Sequence, residues 1–462
     1  MTQPPETNGR PSDPKTAKFH KLLYEDEMID LNQLKLIAWG GIPFKYRPLS
    51  WRLLIGYLPV AKSKREQQLK RKRDEYDRLI EQYYNDRLLD DGMWRQIHID
   101  IPRMQPLIPI FQQPRVQESF ERILYIWSIR HPASGYVQGM NDLVTPFFLT
   151  YLSEFSNSQS QQLQDVENFD ISLIDDTQLR NIEADTYWSF GKLLDSIQNN
   201  YTHAQPGIQR LIKMLATVIS RVDSDLHNHL KNNGVDYLQF AFRWMNNLLI
   251  RELPLRLVVR LWDSYLAEGF LATFTPTAAM QANASSISSN QSTTTAYQNL
   301  LTSSSSAASH QHLNNHQHGS NISLTSKSGS NDHHMLSSNN HFEGFPTRPN
   351  NNAGAIIPAN NSLPTSATTT SNASTNHHSN KISSSTWNNG SETPFSASFH
   401  LFVCAAFLKS WSKHLLREQD FQGIMLLLQN LPTYHWSDQE IVMMLADAYH
   451  LKETFSPSHL RI

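Results

Sequence analysis

Apolar residues recur at intervals of three and four along most of the chain, which is the spacing of one face of an α-helix. One such stripe consists of Phe120, Ile123, Leu124 and Trp127. A longer one follows Pro206 and runs from Ile208 to Leu226. No stretch shows the sustained apolar and polar alternation, bounded by hairpin turns, that is typical of strands. The pattern therefore predicts an all-α protein.

Two prolines mark predicted helix starts, because the fixed φ of proline suits the first helical position and its missing N–H is not needed there. They are Pro206 and Pro254, each followed by apolar residues at helical spacing. Helical spacing resumes near the C-terminus, with Phe399, Phe402 and Val403 opening the first stripe. Helices are therefore expected both before and after the segment described next.

The composition changes sharply between residues 272 and 393, where Ser, Thr, Asn, Gln and His dominate. Such a segment has too little apolar surface to offset the entropy of ordering its backbone, so we predict a disordered insertion. The predicted organisation is a disordered tail at 1–18 and one helical domain formed by 19–271 and 394–462. Histidines in the insertion lack a ligand spacing, and no metal site is predicted.

Charge and cysteine content bear on the possible partners and on the cellular compartment. The chain of 462 residues has 40 Lys and Arg against 42 Asp and Glu, a net charge of -2. This balance gives no general attraction to nucleic acid phosphates. The single cysteine, Cys404, forms no internal disulfide, and no signal sequence or membrane-spanning apolar run is present. These features favour a cytoplasmic protein.

A run of basic residues between 62 and 78 alternates with apolar residues at helical spacing. An exposed amphipathic helix explains this pattern, and contact with an anionic membrane or a protein partner is the alternative. The sequence leaves both interpretations open.

The sequence contains no complete motif for nucleotide hydrolysis by the chain itself. Gly9 and the segment Pro14-Lys15-Thr16 approach the phosphate-binding P-loop pattern, but Pro14 stands where that pattern needs glycine. Proline has no N–H to donate to a phosphate. The Gly-x-Ser-x-Gly, His-Glu-x-x-His and Cys-x-x-Cys patterns of other catalytic and metal sites are also absent from the sequence.

Two polar segments with constrained backbones are candidates for function. In the first, residues 95–103, Pro102 disfavours a helical conformation at Ile101, so Arg103 should project from a helix end or turn. Asp100, three residues before Arg103, is placed to hold its guanidinium. In the second, residues 131–142, glycines at 135 and 139 permit tight turns and present Gln138 on a loop. From the residues alone, Arg103 and Gln138 are either functional or structural hydrogen-bonding groups.

The patterns Ile97-x-x-Asp100-x-x-Arg103 and Tyr136-x-Gln138-Gly139 resemble the two signature motifs of TBC-domain GTPase-activating proteins for Rab GTPases. Other segments are similar to that family in the same order: Gly41-Ile-Pro to Trp51, Phe240-Ala-Phe-Arg-Trp-Met-Asn, Arg260-Leu-Trp-Asp263 and Asp420-Phe-Gln-Gly. Within the family, the resemblance is greatest to the subgroup called TBC domain family member 22. It covers the chain outside the tail and the insertion.

This resemblance implies a TBC helical domain of about sixteen helices that accelerates GTP hydrolysis by a Rab GTPase and is not itself a GTP hydrolase. Arg103 matches the position of the arginine finger and Gln138 that of the glutamine finger, with Asp100, Tyr136 and Asn141 in support. Arg47 is expected to contact the partner.

The same resemblance implies that GTP and Mg²⁺ are carried by the GTPase and that the domain needs no cofactor of its own. It also implies work in vesicle trafficking, with recruitment from the cytoplasm to endomembranes such as the Golgi. A non-catalytic module that binds a Rab or a Golgi adaptor is the alternative. The presence of both finger residues favours catalysis over that alternative.

Overall fold

A computed structural model of the chain describes residues 13–85, 91–156, 162–269 and 396–455. In these ranges the chain forms seventeen α-helices and no β-strand, apart from one isolated β-bridge between Met28 and Ala61. The predicted all-α class is therefore confirmed, with a helix count close to the expected sixteen. The predicted insertion at 272–393 and the start of the tail lie outside the described residues.

The helices before the insertion are α1 (Pro14–His20), α2 (Leu31–Trp39), α3 (Arg47–Leu54), α4 (Arg65–Leu79), α5 (Asp91–Asp100), α6 (Pro114–Arg130), α7 (Thr145–Leu152), α8 (Leu163–Glu167), α9 (Asp176–Ser196), α10 (Pro206–Val222), α11 (Ser224–Asn232), α12 (Tyr237–Asn247) and α13 (Leu255–Glu268). Those after it are α14 (Ser396–Ser410), α15 (Ser412–Leu415), α16 (Phe421–Gln429) and α17 (Asp438–Thr454). Two 3₁₀ helices matter for the site: Ile101–Arg103, which follows α5, and Met140–Val144, which precedes α7.

Local sequence signals set several helix starts. Pro206 occupies the first turn of α10 as predicted, and Pro254 immediately precedes α13. Reciprocal capping boxes begin three further helices: Asp175 with Gln178 at α9, Asp236 with Gln239 at α12, and Ser437 with Glu440 at α17. Each box satisfies backbone N–H groups that a helix start otherwise leaves without a partner.

The prediction of a disordered tail at 1–18 is wrong for its last six residues. Asp13 caps α1 by accepting a hydrogen bond from the Thr16 N–H, and Pro14 occupies the first turn. The Lys15 ammonium donates to the Gly40 carbonyl at 2.9 Å, and Phe19 is fully buried. An N-cap followed by proline was enough to start a helix in a segment whose polar composition suggested none.

The helices before and after the insertion share one core. α14 packs against α10, α12, α13 and α17, and the rings of Trp244 and Phe407 meet edge to face at 5.1 Å. The stripe predicted on α6, Phe120 to Trp127, is buried, and so is Cys404. The two parts of the predicted domain therefore fold as one helical unit.

The basic run at 62–78 includes α4, as the amphipathic interpretation predicted. Arg65 is buried and donates to the Val60 carbonyl, while Arg73 pairs with the buried Asp185 at 2.8 Å. The run also has four exposed cations, and four exposed acids lie among them in sequence. The cations are Lys64, Lys70, Arg71 and Arg78, and the acids are Glu66, Asp74, Asp77 and Glu81. Much of its positive charge is therefore internal or locally balanced, and membrane contact stays a prediction.

Across the described parts of the chain, every helix is too short or too polar to span a bilayer. The same ranges contain no cluster of three His, Cys, Asp or Glu side chains placed to hold a metal ion.

Candidate functional site

Arg103 stands at the end of a short turn that continues α5. After Asp100 the chain makes the 3₁₀ helix Ile101–Arg103 and then turns into extended backbone at Met104. Ile101 and Met104 are buried, whereas Arg103 is exposed. Its guanidinium makes no hydrogen bond or ion pair with any described residue. Arg103 therefore stands at a helix end, as predicted, although Ile101 lies in the 3₁₀ helix and not in the non-helical conformation expected before Pro102.

Gln138 lies on the loop between α6 and α7 and is also exposed. The next residue, Gly139, has a φ of 101°, a left-handed conformation that glycine adopts without strain. Asn141 is buried, and its Oδ1 accepts from the Gly139 N–H at 3.1 Å. This contact holds the backbone of Gly139, the residue next to Gln138.

Tyr136 joins the two segments. Its hydroxyl donates to Asp100 Oδ2 at 3.0 Å, and the Gln96 amide donates to the same oxygen at 3.0 Å. Burial and the Asp100 carboxylate raise the pKa of Tyr136, so the phenol stays protonated and remains a donor. The expectation that Asp100 holds the Arg103 guanidinium is wrong: the carboxylate turns toward Tyr136 and links the two loops.

Two consecutive amides at the end of α12 hold the Gln138 loop by its backbone, and we call Asn246 and Asn247 the amide clamp. Asn246 Nδ2 donates to the Gln138 carbonyl at 3.2 Å, and Asn247 Nδ2 donates to the Gly139 carbonyl at 3.0 Å. A Cβ at Gly139 would stand 2.4 Å from Asn246 Nδ2. Glycine at 139 is thus required by this close approach as well as by φ.

An ion pair between the buried Asp142 and the exposed Arg251 extends the clamp. Asp142 Oδ2 accepts from Asn247 Nδ2 and from Arg251 Nε, both at 2.6 Å. Burial raises the pKa of Asp142, and the Arg251 guanidinium opposes that rise. Because Arg251 remains 45% exposed, it places a positive side chain at the solvent end of this network.

The helix that carries Asp100 is anchored through Glu121 of α6. This carboxylate accepts from Tyr84, from Trp94 Nε1 at 2.6 Å and from His98 Nδ1 at 2.8 Å, the last two lying on α5. Burial disfavours its charge, but the hydrogen bonds from Tyr84, His98 and Trp94 outweigh burial and lower the pKa of Glu121. The ionised carboxylate therefore fastens α5 to α6 one turn before the site.

The model of the family described as Rab-GTPase-TBC domain matches residues 44–287, more than half of the chain. The chain belongs to this family. Its resemblance to the member 22 subgroup is also confirmed: the chain is 41% identical to human TBC1 domain family member 22B over 448 residues. That match covers 96% of this chain and 63% of the human protein.

Two fungal comparisons agree. GTPase-activating protein GYP1 of Saccharomyces cerevisiae is 39% identical over 435 residues, which are 94% of this chain and 58% of that protein. The crystal structure of the Ypt/Rab-GAP domain of Gyp1p superposes with a TM-score of 0.66 and 34% identity, covering 96% of this chain and 98% of that one. The chain thus spans less than two thirds of these full-length relatives and nearly all of the solved domain.

Arg47 of this TBC domain is not a partner contact, contrary to the sequence prediction. Its side chain is 10% exposed, its Nε donates to Asp263 Oδ1 at 3.1 Å, and its Nη2 donates to the Ile42 carbonyl at 2.7 Å. Trp51 Nε1 donates to the same Asp263 oxygen at 2.7 Å. The guanidinium is committed to joining α3 and α13, which leaves it none of the freedom needed to bind another protein.

The sequence prediction of the TBC site missed the amide clamp, Asp142 and Arg251. The available signal was the pair Asn246-Asn247 at the end of an otherwise apolar helical stripe, where two amides would not be expected without carbonyls to bond. What the sequence did not reveal is that those carbonyls belong to residues 138 and 139, more than a hundred positions earlier.

Proposed function

We propose that this TBC domain is a GTPase-activating protein for a Rab-family GTPase and that it acts in trans, by inserting Arg103 and Gln138 into the partner's nucleotide site. The observation that carries the proposal is the Tyr136–Asp100 hydrogen bond, which ties together two segments that each present an exposed polar side chain, Arg103 and Gln138. The name of the yeast relative GYP1 and the description of its solved domain support it, since both refer to GTPase activation.

The role proposed for Arg103 is electrostatic. During phosphoryl transfer to water, negative charge spreads over the γ-phosphate oxygens and the leaving oxygen. A permanently charged, planar guanidinium stabilises that charge and can bond two oxygens at once. An arginine finger supplied in trans accelerates hydrolysis by about 10³ to 10⁵. Because Arg103 has no partner among the described residues, it breaks no ion pair with them when it enters the GTPase.

The role proposed for Gln138 is to orient the attacking water through its carboxamide, which needs no change of protonation. Orientation requires a fixed backbone. The amide clamp donates hydrogen bonds to the backbone carbonyls of Gln138 and Gly139. Asn141 accepts one from the Gly139 N–H. GTP and Mg²⁺ belong to the GTPase in this mechanism, and the domain contributes only side chains.

The setting we propose is membrane trafficking, with the protein recruited from the cytoplasm to the surface of an endomembrane, the Golgi included. Golgi adaptors are further proposed partners. The net charge of -2 supports a protein partner over a nucleic acid.

Single-turnover hydrolysis measured across a panel of purified, GTP-loaded Rab GTPases tests the activity. Wild type should accelerate at least one Rab, Arg103→Ala should lower the stimulated rate by about 10³-fold or more, and Gln138→Ala should also impair it severely. Arg417→Ala and Gln67→Ala, at exposed positions without side-chain partners among the described residues, serve as matched controls.

Two outcomes would contradict the proposal. Arg103→Ala with wild-type activity on the responsive Rab would remove Arg103 from the mechanism. Stable binding to a Rab with no change in its hydrolysis rate would identify the domain as a binding module.

A further inference from the structure

Leu107 is an apolar side chain held out into solvent close to Arg103. It is 92% exposed, more than any other large apolar residue among those described. It occupies the tip of a β-turn with Pro106, closed by a hydrogen bond from the Ile108 N–H to the Gln105 carbonyl at 3.0 Å. A single exposed leucine is ordinary on a protein surface, so what distinguishes Leu107 is the fixed turn that carries it and its closeness in the chain to Arg103.

The turn is anchored on both sides. Met104 before it and Ile110 and Phe111 after it are buried, and the Gln112 amide donates to the Met104 carbonyl at 3.3 Å. Gln105 adopts a φ of 44°, a left-handed conformation that few non-glycine residues take. A side chain presented from such a fixed backbone loses little further freedom when it docks, which favours binding.

Chain geometry places Leu107 inside any ordinary interface centred on Arg103. Four residues of chain span at most about 14 Å. A standard protein interface covers about 800 Å² on each partner, which corresponds to a disc with a radius of roughly 16 Å. If Arg103 enters the nucleotide site of a GTPase at the centre of such an interface, Leu107 lies within the radius of that interface.

We infer that Leu107 is a docking residue that packs into an apolar depression on the GTPase beside its nucleotide site. It contributes to recognition of the partner and takes no part in hydrolysis. The inference rests on the proposed GTPase-activating function and assigns to the turn at 105–108 the task of selecting GTPases that carry such a depression.

Steady-state hydrolysis by the most responsive Rab, with that GTP-loaded Rab varied as substrate, separates binding from chemistry. Leu107→Ala should raise KM about tenfold and Leu107→Asp about a hundredfold, because the first removes most of the buried side chain and the second also buries a charge. The kcat should stay at the wild-type value for both variants. Arg103→Ala should show the opposite division, with the loss in kcat.

Three controls accompany these variants. Leu107→Met keeps an apolar side chain of similar volume and should retain the wild-type KM. Leu426→Asp, at a leucine of α16 that is also exposed, should leave both constants unchanged. Thermal unfolding midpoints should match across the Leu107 series, because that side chain contributes no buried surface to the fold.

The results distinguish this inference from the function on which it rests. If wild type accelerates hydrolysis but Leu107→Asp leaves KM unchanged, the docking role is overturned and the proposed function stands. The same conclusion follows if Leu107→Asp lowers only kcat. Absence of acceleration by wild type on every Rab overturns the proposed function and the docking role together.

Discussion

Replacement of Asn246 by alanine tests whether the amide clamp acts through Gln138. The substitution removes the 3.2 Å hydrogen bond from Asn246 Nδ2 to the Gln138 carbonyl, together with two longer side-chain contacts to Asn247 and Gln205, and leaves the Gln138 side chain in place. The backbone of Asn246 stays engaged, because its carbonyl accepts from the Tyr201 hydroxyl at 2.6 Å. The change therefore loosens the loop without deleting the group proposed to orient water.

The expected magnitude follows from the exposure of the loop. Gln138 is exposed and the other two contacts are long, at 3.3 and 3.4 Å, so we take the net loss as that of one ordinary hydrogen bond, about 1 kcal/mol. If that energy holds Gln138 in its productive position, the stimulated rate falls roughly fivefold at about 1.4 kcal/mol per tenfold. Gln138→Ala removes the carboxamide itself and should cost far more.

A double-mutant cycle measured by single-turnover hydrolysis isolates the connection. Asn246→Ala should slow the wild-type domain but have almost no effect in a Gln138→Ala background, because there is no carboxamide left to position. Asn233→Ala is the matched control. Asn233 directly follows α11, and its Nδ2 also donates to a backbone carbonyl, that of His229 in α11, at 2.9 Å. It should slow neither background.

The reasoning is refuted if Asn246→Ala slows hydrolysis by the same factor with and without Gln138. Equal factors would mean that the amide affects the rate by a route that does not pass through the glutamine, such as general loss of stability. Urea unfolding of the four proteins in the cycle shows whether stability alone accounts for the rates.

Three further substitutions probe the supports of the site. Arg47→Met should lower the free energy of unfolding by about 3 to 5 kcal/mol in urea denaturation, because it leaves Asp263 buried without its cation; wild-type stability would contradict the internal role. Gly139→Ala should lower both the unfolding midpoint and GTPase activation, since its Cβ meets Asn246 and its φ is left-handed; full activity would contradict the close approach. The native pKa of Glu121 is lowered, so its ionised form stabilises the folded state. That contribution is complete above the unfolded pKa of about 4.3 and is lost as the pH falls through the native pKa. The stability difference between wild type and Glu121→Gln, measured by urea unfolding, should therefore shrink from pH 6 to pH 3, and a constant difference would contradict the assigned shift.

Helical periodicity was sufficient to predict the class of fold, because a stripe such as Phe120 to Trp127 is buried wherever its helix packs. Pro102 was sufficient to predict that Arg103 lies at a helix end, even though Ile101 before it continues the helix as a 3₁₀ turn. These inferences need only neighbours in sequence, and the structure agrees with them.

Predictions that depended on side-chain direction or distant partners fared worse. Arg47 looks like any surface arginine until α13 brings Asp263 to it from 216 positions away. Asp100 lies three residues before Arg103, which suggested a contact, yet the turn directs its carboxylate to Tyr136. Exposure and long-range pairing arise from packing, and no local pattern in this sequence encodes them.

The single phenol between the two loops also governs how precisely their tips are spaced. Along the covalent path, Asp100 and Tyr136 are 36 residues apart, and small rotations at each of those residues would accumulate into a large positional error. Through space, one contact of 3.0 Å replaces that path. Backbone motions that draw the two segments apart stretch this contact, so the hydrogen bond limits how far the segments that carry Arg103 and Gln138 can separate.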